Sequence, residues 1–251
     1  MIKFFRRIRQ SLLSEGKMSA YILYAIGEIV LVVVGILIAI QIDDWNQLKI
    51  DRNAEFDLLT QIRSDLVANQ AEVDLIKKGM SVSMPIADSL IKSLDRRKRV
   101  KYFNAYVSII HKKETFNNSS SGYASLQGGL FYLIKDNILR NNISSLYESD
   151  FANIDEREKE MFYHIDQVLN PQTYRLFDIN TNTTIRLPSF DDNSFDLYTP
   201  LDFNTLSNNL EYKNTIKVLK KMYAVRLNAL KKTEEKLEQT ISLLDERLNK
   251  L

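Results

Sequence analysis

Side chains able to do chemistry are few in this sequence. Two histidines are its whole imidazole complement, and it has no cysteine, which removes thiolate nucleophiles, disulfides and Cys-ligated metals. His111 and Glu114 stand at i, i+3 and would share a helix face as metal ligands. A zinc site needs three or four ligands, and no third stands nearby in sequence. The spacing therefore predicts a solvated histidine at a helix end. His164 with Asp166, in MFYHIDQVL, is a weaker pairing of the same kind. The HExxH, GxSxG, P-loop and dinucleotide-binding glycine patterns are absent. No residue is expected to be catalytic, to hold a metal or to bind a cofactor.

Two clusters point to binding instead. The densest positive run is Asp95 to Lys101, in which Arg96, Arg97, Lys98, Arg99 and Lys101 can hold an anionic lipid head group or an acidic partner. A solvated turn joining two helices has the same composition. The stretch Ser119, Ser120, Ser121, Gly122 and Tyr123 can offer hydroxyls and backbone N–H groups to a ligand at a helix start, and plain helix capping uses the same residues. Net charge is only +2 with both signs interspersed, so no nucleic-acid partner is expected.

The elements that carry these residues read as helices. Seven glycines and four prolines in 251 residues leave long stretches free of helix breakers, and the length suits one domain plus an anchor. From Tyr21 to Ile42 the chain reads YILYAIGEIVLVVVGILIAIQI, with Glu28 its one ionisable group among the acids and bases that ionise near neutral pH. At 1.5 Å per residue this spans ~33 Å, the thickness of a bilayer core. No small-x-small cleavage site follows before Asp43, so the segment reads as an uncleaved transmembrane helix.

Lys3, Arg6, Arg7, Arg9 and Lys17 precede the span and Asp43, Asp44 and Asp51 follow it. The positive-inside rule then puts residues 1–20 in the cytoplasm as a basic amphipathic tail, and 43–251 outside, in the periplasm of a two-membrane bacterium. The expected location is the inner membrane. Gly27, Glu28, Gly35 and Ala39 are the candidates for helix contact within the membrane, the small residues by close packing and Glu28 because a charge there is costly.

Beyond the membrane, Trp45, Leu48, Arg52, Glu55, Leu59, Ile62, Leu66, Asn69, Val73 and Ile76 recur at spacings of three and four, the stripe of a long amphipathic helix to about Lys78. Gly79 and Pro85 are expected to end or kink it before a shorter helix from Ile86. Phe103 to Ile110 reads as helix or strand, Leu130 to Tyr147 and Glu156 to Leu169 as helices, the last stopped by Asn170-Pro171. Residues 171–205 read as loop with one small hairpin, TYRLFDI against TIRLP, its aromatics tucked back into the bundle. Ile216, Tyr223, Leu230, Leu237, Leu244 and Leu251 are each seven apart. That stripe predicts a final helix, Asn209 to Leu251, antiparallel to the helix after the membrane, with Trp45 near Leu248; a parallel homodimer is the competing arrangement.

Two blocks carry a resemblance. MIKFFRRIRQSLLSEGKMSAYILYAIGEIVLVVVGILIAIQIDDWN and, more loosely, TFNNSSSGYASLQGGLFYLIKDNILRNNISSLY resemble an uncharacterised group of single-span proteins, a family of unknown function from Bacteroidetes-type bacteria, whose members more often carry two asparagines before the tryptophan. The resemblance implies the topology and no activity. The reading as a whole is all-α: one N-terminal transmembrane helix, then an elongated, largely antiparallel helical bundle with an irregular region near 171–205. The expected role is an interaction or scaffold module whose partners are the bilayer and another membrane protein or a second copy. The alternative is a ligand-sensing ectodomain that signals through a separate membrane partner.

Overall fold

The structure, a computed structural model, describes residues 18–181 and 196–251. Residues 1–17 of the expected amphipathic tail and the expected TIRLP strand lie outside the described residues. The chain divides into two compact units, Met1–Glu55 and Phe56–Leu251.

In the first unit the described residues form the opening part of helix α1, Met18–Asp95. Its apolar side chains are exposed on all sides, Ile22, Leu31, Ile36 and Ile42 among them. The helix is long and apolar enough to cross a membrane, and none of its most apolar 18-residue stretch is buried.

The second unit is all-helical apart from one two-stranded sheet among the described residues. Here α1 is amphipathic. Leu59, Ile62, Leu66, Asn69, Val73 and Ile76 are buried, and the stripe continues through Met80, Ser83, Ala87, Leu90 and Leu94. Of the two expected outcomes, an end or a kink, Gly79 and Pro85 do not bring an end: the helix runs on to Asp95 with no separate helix starting at Ile86. Pro85 lacks the N–H that would bond the carbonyl of Ser81, but both residues are exposed, so water replaces the lost bond.

Helix α2 (Phe103–Ile110) follows a turn. An irregular connector, Lys112 to Ser120, leads to α3 (Ser121–Gln127) and a 3₁₀ turn, Leu130–Leu133. The helix expected from Leu130 starts only at α4 (Asn137–Ser145), where the Asp136 carboxylate accepts from the Ile138 and Leu139 N–H groups. From there the chain stays helical through α5 (Phe151–His164) and α6 (Asn170–Leu176), with wide π-turns at Leu146–Asp150 and Ile165–Leu169. Asn170-Pro171 therefore does not stop the helix. The π-turn bonds the Asn170 N–H to the Ile165 carbonyl and Pro171 falls in the first turn of α6, where a missing N–H is tolerated.

Strand β1 (Phe177–Asn180) pairs antiparallel with β2 (Leu197–Pro200), Phe177 opposite Pro200. The described partner of β1 is thus Leu197–Pro200. Of the described aromatics, Phe177 is buried on Tyr212, Phe203 meets Phe103 edge-on, Tyr198 stacks on His111, and Tyr174 is exposed.

Helix α7 (Phe203–Asn208) leads into α8 (Leu210–Leu248), capped by Asn209, whose side chain accepts from the Tyr212 N–H. Ile216, Tyr223, Leu230, Leu237 and Leu244 are buried as the seven-residue repeat requires. Cross-helix ion pairs fix the direction: Arg63 with Asp245, Lys77 with Glu234, Asp88 with Lys220 and Asp95 with Lys213. Numbers rise along α1 as they fall along α8, so the two run antiparallel, as expected. The end of α8 meets α1 near Arg63, further along α1 than the expected Trp45.

Candidate functional site

The basic run forms the turn between α1 and α2, about 60 Å along α1 from Phe56. Its backbone is fully organised. Lys98 N–H donates to the Ser93 carbonyl and Arg97 N–H to that of Leu94, the crossed pair of bonds that closes a helix C-terminus. This closure puts one residue in the left-handed region, and here it is Arg97, at φ 52°. Glycine is usual at that place because a side chain there costs about 1 kcal/mol. Buried Ser93 completes the loop, its hydroxyl donating to the Lys98 carbonyl and accepting from the Val100 N–H.

Arg96, Arg97, Lys98, Arg99 and Lys101 are all exposed. Arg99 lies over the Phe103 and Phe203 rings and donates to Asn104, and Lys101 lies over Tyr102. Lys92, Arg96, Arg97 and Lys98 have no ion pair among the described residues, and the one acid in the run, Asp95, pairs with Lys213. A depression of about 330 Å³ is lined by five cations, Lys92, Arg96, Lys98, Arg99 and Lys101, and by no acid.

Ser119 to Tyr123 belongs to a different environment, docked against α1. Asn69 bonds both backbone groups of Ser119, donating to its carbonyl (2.8 Å) and accepting from its N–H (2.6 Å). The Asp65 carboxylate accepts from Ser121 Oγ (3.0 Å) and Gly122 N–H (2.7 Å), so a side chain of α1 occupies the start of α3. Ser120, the N-cap, makes no side-chain capping bond. A Cβ on Gly122 would fall 2.8 Å from the Ile62 backbone nitrogen, which makes glycine a packing requirement. Tyr123 stacks on Tyr147 at 4.4 Å and donates to Glu148.

The connector before this segment is held by side chains in place of a helix or sheet ladder. The key residue is one that sequence reasoning missed. Arg226 of α8 is fully buried, its Nη2 donating at 2.6 Å both to the Glu114 carbonyl and to Glu158 Oε2. Glu158 also accepts from Phe116 N–H at 2.8 Å. Burial pushes the Arg226 pKa down and those of Glu158 and Glu114 up. Arg226 Nε and Nη1 and Glu114 Oε2 are buried without a partner among the described residues. The Glu114 carboxyl fills the notch at Gly79, where a Cβ would fall 2.2 Å from Oε1.

His111 is at a helix end, as its spacing predicts, but it is half-buried and bonded within the fold where the spacing predicts a solvated ring. Nδ1 lies 2.6 Å from the Val107 carbonyl, Nε2 lies 3.0 Å from Thr173 Oγ1, and the ring stacks on Tyr198. Burial lowers its pKa to about 4, against a weaker opposing pull from the Val107 bond, so the ring is neutral at neutral pH. His164 is buried with Nε2 3.1 Å from the Thr215 carbonyl, and Asp166 pairs with Lys113. The two histidines therefore serve separate places in the packing, and neither shares a ligand set with its sequence neighbour. In the first unit, Gly27, Gly35 and Ala39 are exposed, Glu28 is partly covered, and nothing lies within 4 Å of a Cβ built on either glycine.

No curated protein and no solved structure matches this chain. One family model does, over residues 28–191, which takes in most of α1, the basic turn, the connector and α3 to β1. On that match the chain belongs to DUF6090, a family of unknown function.

Proposed function

We propose that the protein is a single-pass membrane protein of the inner membrane, with its N-terminus in the cytoplasm and its folded unit in the periplasm, acting there as an interaction or scaffold module and not as an enzyme. The observation that carries this reading is the all-round exposure of apolar side chains from Ile22 to Ile42. A helix apolar on every side needs an apolar solvent, and its length matches a bilayer core. The second unit has its own filled core and does not need those residues. The charge asymmetry about the span supports this orientation, and the open face with Gly35 and Ala39 suits a second membrane helix, from another protein or another copy. A ligand-sensing ectodomain is the second reading, favoured by the cation-lined depression at the basic turn. Fusion of alkaline phosphatase to the C-terminus should give an active enzyme and fusion of a fluorescent protein a dark one. The reverse pattern would overturn the orientation and the periplasmic placement.

A further inference from the structure

The basic turn is more than a solvated connection. We infer that it is a binding site for a phosphate group carried by a lipid headgroup or a soluble molecule. Cations near a helix C-terminus offset its dipole, and one or two suffice for that because the effect fades within the last turn. Here six lie between Lys92 and Lys101, against one acid that is already paired with Lys213. Crowding like charges is unfavourable unless something negative is shared among them. Five of them, all but Arg97, line a depression of about 330 Å³, which falls at the small end of ligand sites and holds no carboxylate to compete with an anion.

The backbone argues the same way. The helix closes with a left-handed residue, a place for glycine, and the chain sets Arg97 there. A side chain kept against the backbone's preference is a mark of a site selected for something other than stability. Ser93, buried and bonded on both sides of the loop, holds the loop carrying Lys98 in one conformation, so an incoming phosphate finds its backbone already ordered. The inference stands on the Phe56–Leu251 unit alone and does not depend on how the chain is anchored.

The test uses the full chain in phosphatidylcholine nanodiscs. Inorganic pyrophosphate, followed by calorimetry, is the soluble probe, and vesicles of four parts phosphatidylcholine to one part phosphatidylglycerol, followed on a biosensor, are the lipid probe. Binding is expected at low salt and should weaken as salt rises. Each cation removed should weaken it about fivefold, so Arg96→Gln with Lys98→Gln should lower affinity roughly twenty-fivefold. Arg97→Gly separates function from folding, because it should weaken binding about fivefold while raising Tm by a few degrees. Capture of the vesicles alone identifies a lipid headgroup as the source and capture of pyrophosphate alone a soluble phosphate, and either supports the site. Binding of neither probe, binding unchanged in the double variant, or a lower Tm for Arg97→Gly would each overturn it.

Discussion

The antiparallel pair of α1 and α8 and the connector Lys112 to Ser120 lie in the same unit and are held in opposite ways. The pair rests on a periodic row of apolar residues, Leu59 to Leu94 on one helix and Ile216 to Leu244 on the other. Each contributes ~1.5–3 kcal/mol by burial, and many substitutes of similar volume serve. The connector has no regular backbone ladder, and its polar groups are met one at a time by Arg226, Glu158, Asn69 and Tyr147. These backbone groups are half-covered and have no ladder to fall back on, so losing one partner costs more than a volume-conserving change at a leucine. Many small terms make a tolerant structure, and a few large ones make a brittle one.

The comparison is broken most directly at Arg226. Arg226→Ala should cost about 3–5 kcal/mol, because it leaves the Glu158 charge buried without its partner. Urea unfolding measures this, and a loss below about 1 kcal/mol would show that the connector is not held as described. Next comes Gly122→Ala, which drives a methyl group into the Ile62 backbone and should cost about 1–3 kcal/mol. By contrast, Leu237→Met in the helix pair should cost less than about 1.5 kcal/mol.

A third effect depends on pH. The folded His111 pKa, about 4, lies below its ordinary value of 6.5. Between those values the unfolded chain binds more protons than the folded one, so stability is full above pH ~6.5 and falls as pH drops toward 4. The loss from this residue is about 2–3 kcal/mol. Glu114 and Glu158, raised by burial, act in the opposite sense: their protonated forms favour the fold, and that contribution is lost as pH rises through their folded values. Their effect cancels when the parent is compared with His111→Phe, so the parent should lose more stability than the variant on acidification. Parallel pH profiles would remove His111 from the account. The smallest effect is expected at Arg63 and Asp245, both over two-fifths exposed. A double-mutant cycle there should give less than about 1 kcal/mol.

What the sequence revealed follows the same division. The stripes of α1 and α8 were legible because periodicity is how a buried helix face is written. The connector was not, because its order comes from residues distant in sequence. Arg226, in KMYAVRLNALKK, looks like one more charge on a solvated face. The available signal was its position, three after Tyr223 and four before Leu230, on the apolar stripe itself. Local stop signals misled at Pro85 and Pro171 because exposure or a wide turn absorbs the missing bond, and at Gly79, which keeps its N–H, because the bare backbone makes room for the Glu114 carboxyl. Between α1 and α2, composition marked the basic turn but carried no hint of the left-handed Arg97.

The charges along the helix pair also specify its direction. α1 offers Arg63 and Lys77 first, then Asp88 and Asp95; α8 offers Lys213 and Lys220 first, then Glu234 and Asp245. A parallel pairing of these two helices would set like against like at both ends, which favours their antiparallel arrangement.

Sequence separation gives this pairing a consequence in time. The ribosome completes the stripe of α1 at Leu94 and does not begin its cover until Leu210. At 5–20 residues per second the interval is roughly 6–20 s. For that interval a finished row of leucine and isoleucine has no partner from α8, so exposure to aggregation is expected to last until the last helix emerges.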